Sequence, residues 1–128
     1  MPRKKSPILT DHELRLMEAL WQAGRATVAE IVDRIDTPPL AYNTVLTTMR
    51  TLEQKGVVAH DELGRTFVYR PLVARAEAAK SAMHHLLGRF FKNSPGALAV
   101  TLLDDVRLSD REVARIEQIL ARERKNSK

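Results

Sequence analysis

Three short helical segments followed by one β-hairpin constrain the fold of this chain more than any other feature. Apolar residues recur at helical spacing over about Asp11–Ala23, Val28–Ile35 and Ala41–Lys55. Two β-like runs follow, Val57–Glu62 and Thr66–Arg70. This order is typical of the winged helix-turn-helix, in which the second helix of the pair enters the major groove of DNA. We therefore predict a mostly α-helical fold with a small β-hairpin, and the third helix is the candidate for the groove.

The sequence also marks where several helices begin. A Ser or Thr is followed three residues later by Glu at Thr10–Glu13, Thr27–Glu30 and Ser109–Glu112. In such a capping box each of the two side chains bonds to the backbone of the other residue, which satisfies amide groups that the first helical turn leaves unpaired. We expect a helix to start at each of the three sites.

The chain after Val73 is helical in pattern. We predict helices over about residues 76–91, after Ser94-Pro95, and over about residues 110–124. Fifty-five residues are few for an independent domain, so their apolar side chains need a partner surface. We expect a winged-helix DNA-binding domain at residues 1–73 and a helical dimerisation region at residues 74–128.

Composition narrows the class of protein. Hydrophobic residues make up 44% and charged residues 29% of the chain, as in globular proteins. There are no cysteines, which excludes disulfides and thiolate metal sites. His84 and His85 are adjacent on a helix and point about 100° apart, so they are poorly placed to share a metal. With no phosphate loop or nucleophile motif, we expect neither an enzyme nor a cofactor nor a metal site.

Charge favours a polyanionic partner only mildly. The formal net charge is +5, but the first 73 residues carry ten Lys and Arg against nine Asp and Glu. Arg3, Lys4 and Lys5 are a candidate arm on the DNA backbone, or a solubilising terminus. No apolar segment follows them, so we expect no signal peptide and a cytoplasmic protein.

The third helix has one polar face. At about 100° per residue, Asn43, Thr47 and Arg50 fall together, opposite apolar positions. Asn can pair with adenine, Arg with guanine or phosphate, and Thr with either kind of base edge. Any exposed helix can carry such residues, so this face by itself does not indicate DNA binding. The DNA-binding interpretation is supported by the position of the helix, which follows a turn and precedes a wing. Arg65, beside the hairpin turn, can reach phosphate or the minor groove, or be an ordinary exposed arginine.

Several segments resemble the penicillinase-repressor (BlaI/MecI) family. They are Thr44-Val45-x-Thr47 with Met49 and Leu52, the ending Lys55-Gly56, the opening Leu9-Thr-x-x-Glu13-x-x-Leu16-Met17-x-x-Leu20-Trp21, and the hairpin residues Gly64-Arg65 and Phe67-x-Tyr69. The resemblance is good over residues 8–73. In the C-terminal helices it extends only to the general pattern of apolar residues.

The resemblance implies a dimeric repressor that binds inverted-repeat operators in double-stranded DNA. It assigns DNA contact to Tyr42, Asn43, Thr44, Thr47, Arg50 and, in the wing, Arg65. It assigns a homodimer interface to Met83, Leu86, Leu87, Phe90, Phe91, Leu98, Leu102, Leu103, Ile116 and Ile119. It also implies relief of repression by a signal, such as cleavage by a membrane-bound sensor protease.

Two departures from the family leave the inducing signal open. The stretch Leu98-Ala-Val-Thr-Leu-Leu103 lacks the Asn-Phe bond at which resistance regulators are cleaved, and the cysteines of copper-responsive relatives are absent. Two alternatives also stay open. One is a winged helix that binds a protein, and the other is a small-molecule sensor of the same fold.

Overall fold

The computed structural model describes residues 8–127. In chain order its elements are α1 (Asp11–Ala23), α2 (Val28–Arg34), α3 (Tyr42–Gln54), β1 (Val58–Leu63), β2 (Thr66–Pro71), α4 (Arg75–Phe90), α5 (Pro95–Asp105) and α6 (Asp110–Asn126). The predicted fold class, a winged helix-turn-helix followed by helices, is confirmed. The proposed arm at Arg3, Lys4 and Lys5 lies outside the described residues.

All three predicted capping boxes are formed. Thr10, Thr27 and Ser109 each accept a hydrogen bond from the backbone N–H of the Glu three residues on, at 3.1 Å. The carboxylate of that Glu accepts one from the backbone N–H of the cap residue, at 2.9 Å. The negative charge also lies at the positive end of the helix dipole. Local sequence therefore fixes the starts of α1, α2 and α6.

The hairpin is tied to the helices by its second strand. β1 and β2 are antiparallel, with His60 opposite Tyr69. The turn between them places Gly64 at a φ of +67°, a conformation that glycine adopts without strain. Ala26 and Tyr69 exchange two backbone hydrogen bonds, of 2.9 and 2.8 Å, so an isolated β-bridge joins the loop between α1 and α2 to β2. This bridge fixes the wing beside the helices.

The core of the first unit lies between the three helices and the hairpin. Its members are fully or almost fully buried apolar side chains from every one of these elements. The largest are Leu16, Met17, Leu20, Ile31, Val45, Met49, Leu52, Val57, Val58 and Tyr69. Because burying each large side chain contributes about 1.5–3 kcal/mol, this cluster supplies much of the stability that orients α3.

The chain divides into two compact units within α4. The first ends at Leu86 and the second begins at Leu87. The sequence pattern predicts a boundary near Val73, where the hairpin ends. Val73 is buried, however, and its carbonyl accepts a hydrogen bond of 2.8 Å from Trp21 Nε1, so the start of α4 belongs with the helices of the first unit. The division into a DNA-binding domain and a dimerisation region stays a prediction.

No helix within residues 8–127 combines the length and the apolar character that crossing a lipid bilayer requires.

Candidate nucleic-acid interface

The two faces of α3 are separated as the spacing predicts. Val45, Met49 and Leu52 are completely buried in the core. Asn43, Thr44, Thr47, Arg50 and Gln54 are exposed to solvent. Since the apolar face is fixed by packing, the rotation of α3 about its axis is fixed too, and its polar edge is presented outward.

The first turn of α3 is open to a ligand. Ala41 is the N-cap residue, and it provides no side chain that could accept a hydrogen bond from the first-turn N–H groups. Tyr42, Asn43 and Thr44 follow, all with exposed side chains. Unpaired N–H groups and the positive end of the helix dipole suit a phosphate oxygen, so this turn can receive a DNA backbone.

Two of the predicted contact residues are brought together by the fold. Tyr42 of α3 and Arg65 of the hairpin turn line one groove, of about 490 Å³, between α2, α3 and the wing. The other four, Asn43, Thr44, Thr47 and Arg50, do not line this groove and lie along the exposed side of α3. The predicted residues thus form a groove and an adjoining polar helix face.

The groove adds residues that the sequence did not single out as contacts. Thr27, Ala29, Thr66 and Phe67 also line it. In the sequence, Thr27 is identifiable as a helix cap, and Phe67 only as part of a hairpin segment that resembles the family. The alternation of residues 66–70 shows which side chains share a face, but it does not show that this face borders α3.

A buried ion pair anchors the C-terminal end of α3. Lys55 Nζ donates a hydrogen bond of 2.7 Å to Glu13 Oε1, and the Glu13 side chain is only 6% exposed. Burial acts to raise the pKa of Glu13. Hydrogen bonds from Lys55 and from the Thr10 backbone outweigh it, so the pKa lies below its ordinary value. Glu13 is therefore ionised at neutral pH and ties α3 to the start of α1.

A second polar contact joins the same two helices. Thr48 Oγ1 donates to the carbonyl of Thr44 at 2.9 Å. It lies 2.8 Å from His12 Nε2, and because its own hydrogen is engaged, it accepts the imidazole N–H. Thr48 is buried, so this contact satisfies a hydroxyl that would otherwise be costly inside the protein.

The second unit and the end of α4 expose many apolar side chains. Of the residues assigned to a dimer interface, six are exposed: Met83, Leu86, Phe90, Leu102, Leu103 and Ile119. Phe91, Leu98 and Ile116 are half-buried, and Leu87 is buried within its own chain. Phe90 is the most exposed of them, at 66%. Whether these side chains meet a second copy of the chain stays a prediction.

Three core helices, a wing packed beside the third, and a polar exposed face on that helix define a winged-helix DNA-binding regulator. The sequence model of the penicillinase repressor family matches residues 9–122, and the chain belongs to that family. It is 29% identical to the penicillinase repressor of Bacillus licheniformis over 126 residues, which is 98% of each chain.

Solved structures agree with this assignment. The DNA-binding domain of the repressor BlaI matches with a TM-score of 0.52 and 29% identity, covering 59% of this chain and 93% of that one. Monomeric Bacillus licheniformis BlaI, solved in complex with the blaP half-operator, matches with a TM-score of 0.50 and 28% identity over the same shares. The chain is thus a BlaI-like repressor with a winged-helix domain.

Proposed function

We propose that this protein is a sequence-specific transcriptional repressor that binds inverted-repeat operators as a homodimer. The observation that carries the proposal is the exposed edge of Asn43, Thr47 and Arg50 on α3, beside a groove that holds Tyr42 and Arg65. The related BlaI monomer in complex with the blaP half-operator supports DNA as the ligand of this fold.

Each residue of the interface has a role suited to its chemistry. Asn43 pairs with an adenine edge, and Arg50 pairs with guanine or a phosphate. Thr47 contacts a base edge or a thymine methyl between them. Tyr42 and Thr44, at the open first turn of α3, bind phosphate oxygens. Arg65 extends from the wing to the backbone or the minor groove.

The homodimer forms through the exposed apolar side chains of the end of α4, α5 and α6. A twofold dimer presents two α3 helices and thereby matches an inverted repeat. Phe90 and Leu102 expose apolar side chains that can contact a second copy, whereas Leu87 is buried within its own chain.

A signal relieves repression in this proposal, and a membrane-bound sensor protease that cleaves the second unit is the candidate source. Residues 98–103, which lie within α5, contain no Asn-Phe bond, so cleavage there would have to occur at a different bond. Mass spectrometry of the protein from induced cells tests this step, because an intact chain after induction would exclude proteolysis.

Selection of bound fragments from the source genome tests the main proposal. Enrichment of a palindrome is the expected result, and it would identify the regulated genes. Enrichment of a single half-site would retain DNA binding but overturn the dimeric mode. A failure to enrich any sequence would instead favour a winged helix that binds a protein.

A further inference from the structure

One side-chain pair joins the wing directly to α3. His60 lies on β1 and Glu53 on the last turns of α3. The imidazole Nδ1 is 2.8 Å from each of the two Glu53 carboxylate oxygens. The side chain of His60 is 27% exposed and that of Glu53 is 33% exposed, so the pair is partly buried and still in contact with solvent.

Two aromatic rings of β2 hold the imidazole in place. The ring of His60 stacks on Phe67 at a centroid distance of 4.2 Å and an interplanar angle of 20°. It is tilted against Tyr69 at 5.5 Å. The groove that contains Arg65 is lined by both Phe67 and Tyr69. The position of the His60 ring is therefore linked to the wall of the candidate DNA-binding groove.

We propose that Glu53 and His60 are positioning residues for DNA binding, which hold the wing against α3 most firmly when His60 is protonated, so that affinity for DNA falls as pH rises. The inference rests on the proposed function, since it concerns the geometry of that same interface. Neither residue is assigned a contact with a base.

The direction of the pH effect follows from the hydrogen bond. A protonated imidazole donates from Nδ1 with a full positive charge, so its contact with the Glu53 carboxylate is an ion pair as well as a hydrogen bond. A neutral imidazole either donates to the carboxylate without the attraction of a positive charge or turns a lone pair toward it. Histidine is the side chain that most often serves as a switch of charge at physiological pH, so we expect the hold of this pair on the wing to weaken as pH rises.

The other charged groups around the ring differ by element. On α3, Arg50 precedes Glu53 by three residues and lies close enough to Tyr69 to act on its phenol. On β2, burial and the Glu53 carboxylate raise the pKa of Tyr69 while Arg50 acts against them, so the phenol is neutral at physiological pH.

On β1 itself, Glu62 shares the face of His60 because alternate residues point to the same side of a strand. Asp61 is on the opposite face, where it accepts a hydrogen bond of 3.1 Å from Arg70. Of the carboxylates near His60, only that of Glu53 is hydrogen-bonded to the ring within residues 8–127.

Glu53→Gln and Glu62→Gln form a matched test, because each removes one negative charge near His60 and only the first removes its hydrogen-bond partner. The probe is a fluorescent duplex enriched by the wild-type protein from a random-sequence library at about pH 6. Affinity is measured between about pH 6 and 8. The other histidines are unchanged in both variants, so their titration cancels in the comparison.

We expect the wild type and Glu62→Gln to lose about three- to tenfold in affinity across this range, as the pair weakens. We expect Glu53→Gln to bind more weakly at the acid end and to show a nearly flat profile. His60→Gln should have the same flat profile, which covers the case of a Glu53 variant that folds poorly. Parallel profiles for all the proteins would overturn the inference.

Amide hydrogen exchange of β1 and β2 without DNA separates this inference from the proposed function. At about pH 6 the hairpin amides of Glu53→Gln should exchange faster than those of Glu62→Gln, and the difference should shrink near pH 8. If the wild type enriches no duplex, the proposed function fails, and exchange alone decides whether the pair holds the wing. Equal exchange in the two variants at both pH values would overturn it.

Discussion

Glu13 and Lys55 connect the start of α1 to the end of α3 across forty-two positions of the chain. Glu13 Oε1 accepts from Lys55 Nζ at 2.7 Å and also from the Thr10 backbone N–H at 2.9 Å. One oxygen atom therefore completes a helix cap and holds the C-terminal end of α3. The two residues lie in separate segments that resemble the family, Leu9–Trp21 and Thr44–Gly56.

Glu13→Gln is expected to lower the free energy of unfolding by about 1–2 kcal/mol, because the carboxylate that forms an ion pair with Lys55 at a largely buried site is replaced by an uncharged amide. Glu30→Gln is the matched control. Glu30 has the same capping-box role but is exposed and has no lysine partner within residues 8–127. Urea denaturation measures both, and equal losses would show that the ion pair with Lys55 adds nothing.

Acid should destabilise the wild type more than Glu13→Gln. The folded pKa of Glu13 is below its ordinary value of 4.5, so its contribution is present above that pH and is lost as pH falls through the folded pKa. Glu30 and Glu112 are lowered in the same direction by the backbone N–H groups of Thr27 and Ser109. These two groups remain in the variant, so the difference between the two stability curves isolates Glu13. Curves that stay parallel down to about pH 3 would contradict the assignment.

Asn43→Ala and Arg50→Ala are expected to abolish sequence-specific DNA binding and to leave the fold and the oligomeric state unchanged. A bidentate contact to a base contributes about 1–3 kcal/mol of discrimination, and both side chains are exposed, so folding does not depend on them. Fluorescence anisotropy with specific and scrambled duplexes measures the preference.

Gln22→Ala, at an exposed position of α1, is the control for loss of a polar surface group. Arg50→Lys separates charge from geometry, because lysine keeps the charge but not the two-pronged hydrogen bonding. Wild-type discrimination by both alanine variants would refute the placement of α3 in the groove.

Phe90→Asp is expected to give monomers. The Phe90 side chain is 66% exposed, and a carboxylate there would have to be desolvated in any apolar interface. Sedimentation velocity gives the mass directly. Lys80→Asp, an exposed position on the same helix within the first unit, should leave the dimer intact. An unchanged dimer for Phe90→Asp would exclude this face as the interface.

Much of the fold is predictable because its signals are local. A capping box needs only residues three apart, and the buried and exposed faces of α3 follow from helical spacing alone. The bounds of α1 are those predicted, and those of α2, α3, α4 and α6 differ from the predicted ones by one or two residues. α2, for example, ends at Arg34, and Ile35 is its C-cap. The polar edge of Asn43, Thr47 and Arg50 was visible for the same reason.

The sequence by itself determined where helices begin, which side of each is apolar, and where the hairpin turns, since these depend on neighbours along the chain. Only the tertiary structure decided which distant groups meet: Glu13 with Lys55, Trp21 with the Val73 carbonyl, and His60 with Glu53. Hydrophobic periodicity shows which face of a helix or strand must be buried, but it does not show which other element that face packs against. The partner of each side chain is set by how all the elements pack at once, which also left Tyr69 buried and Phe67 exposed on the same strand face.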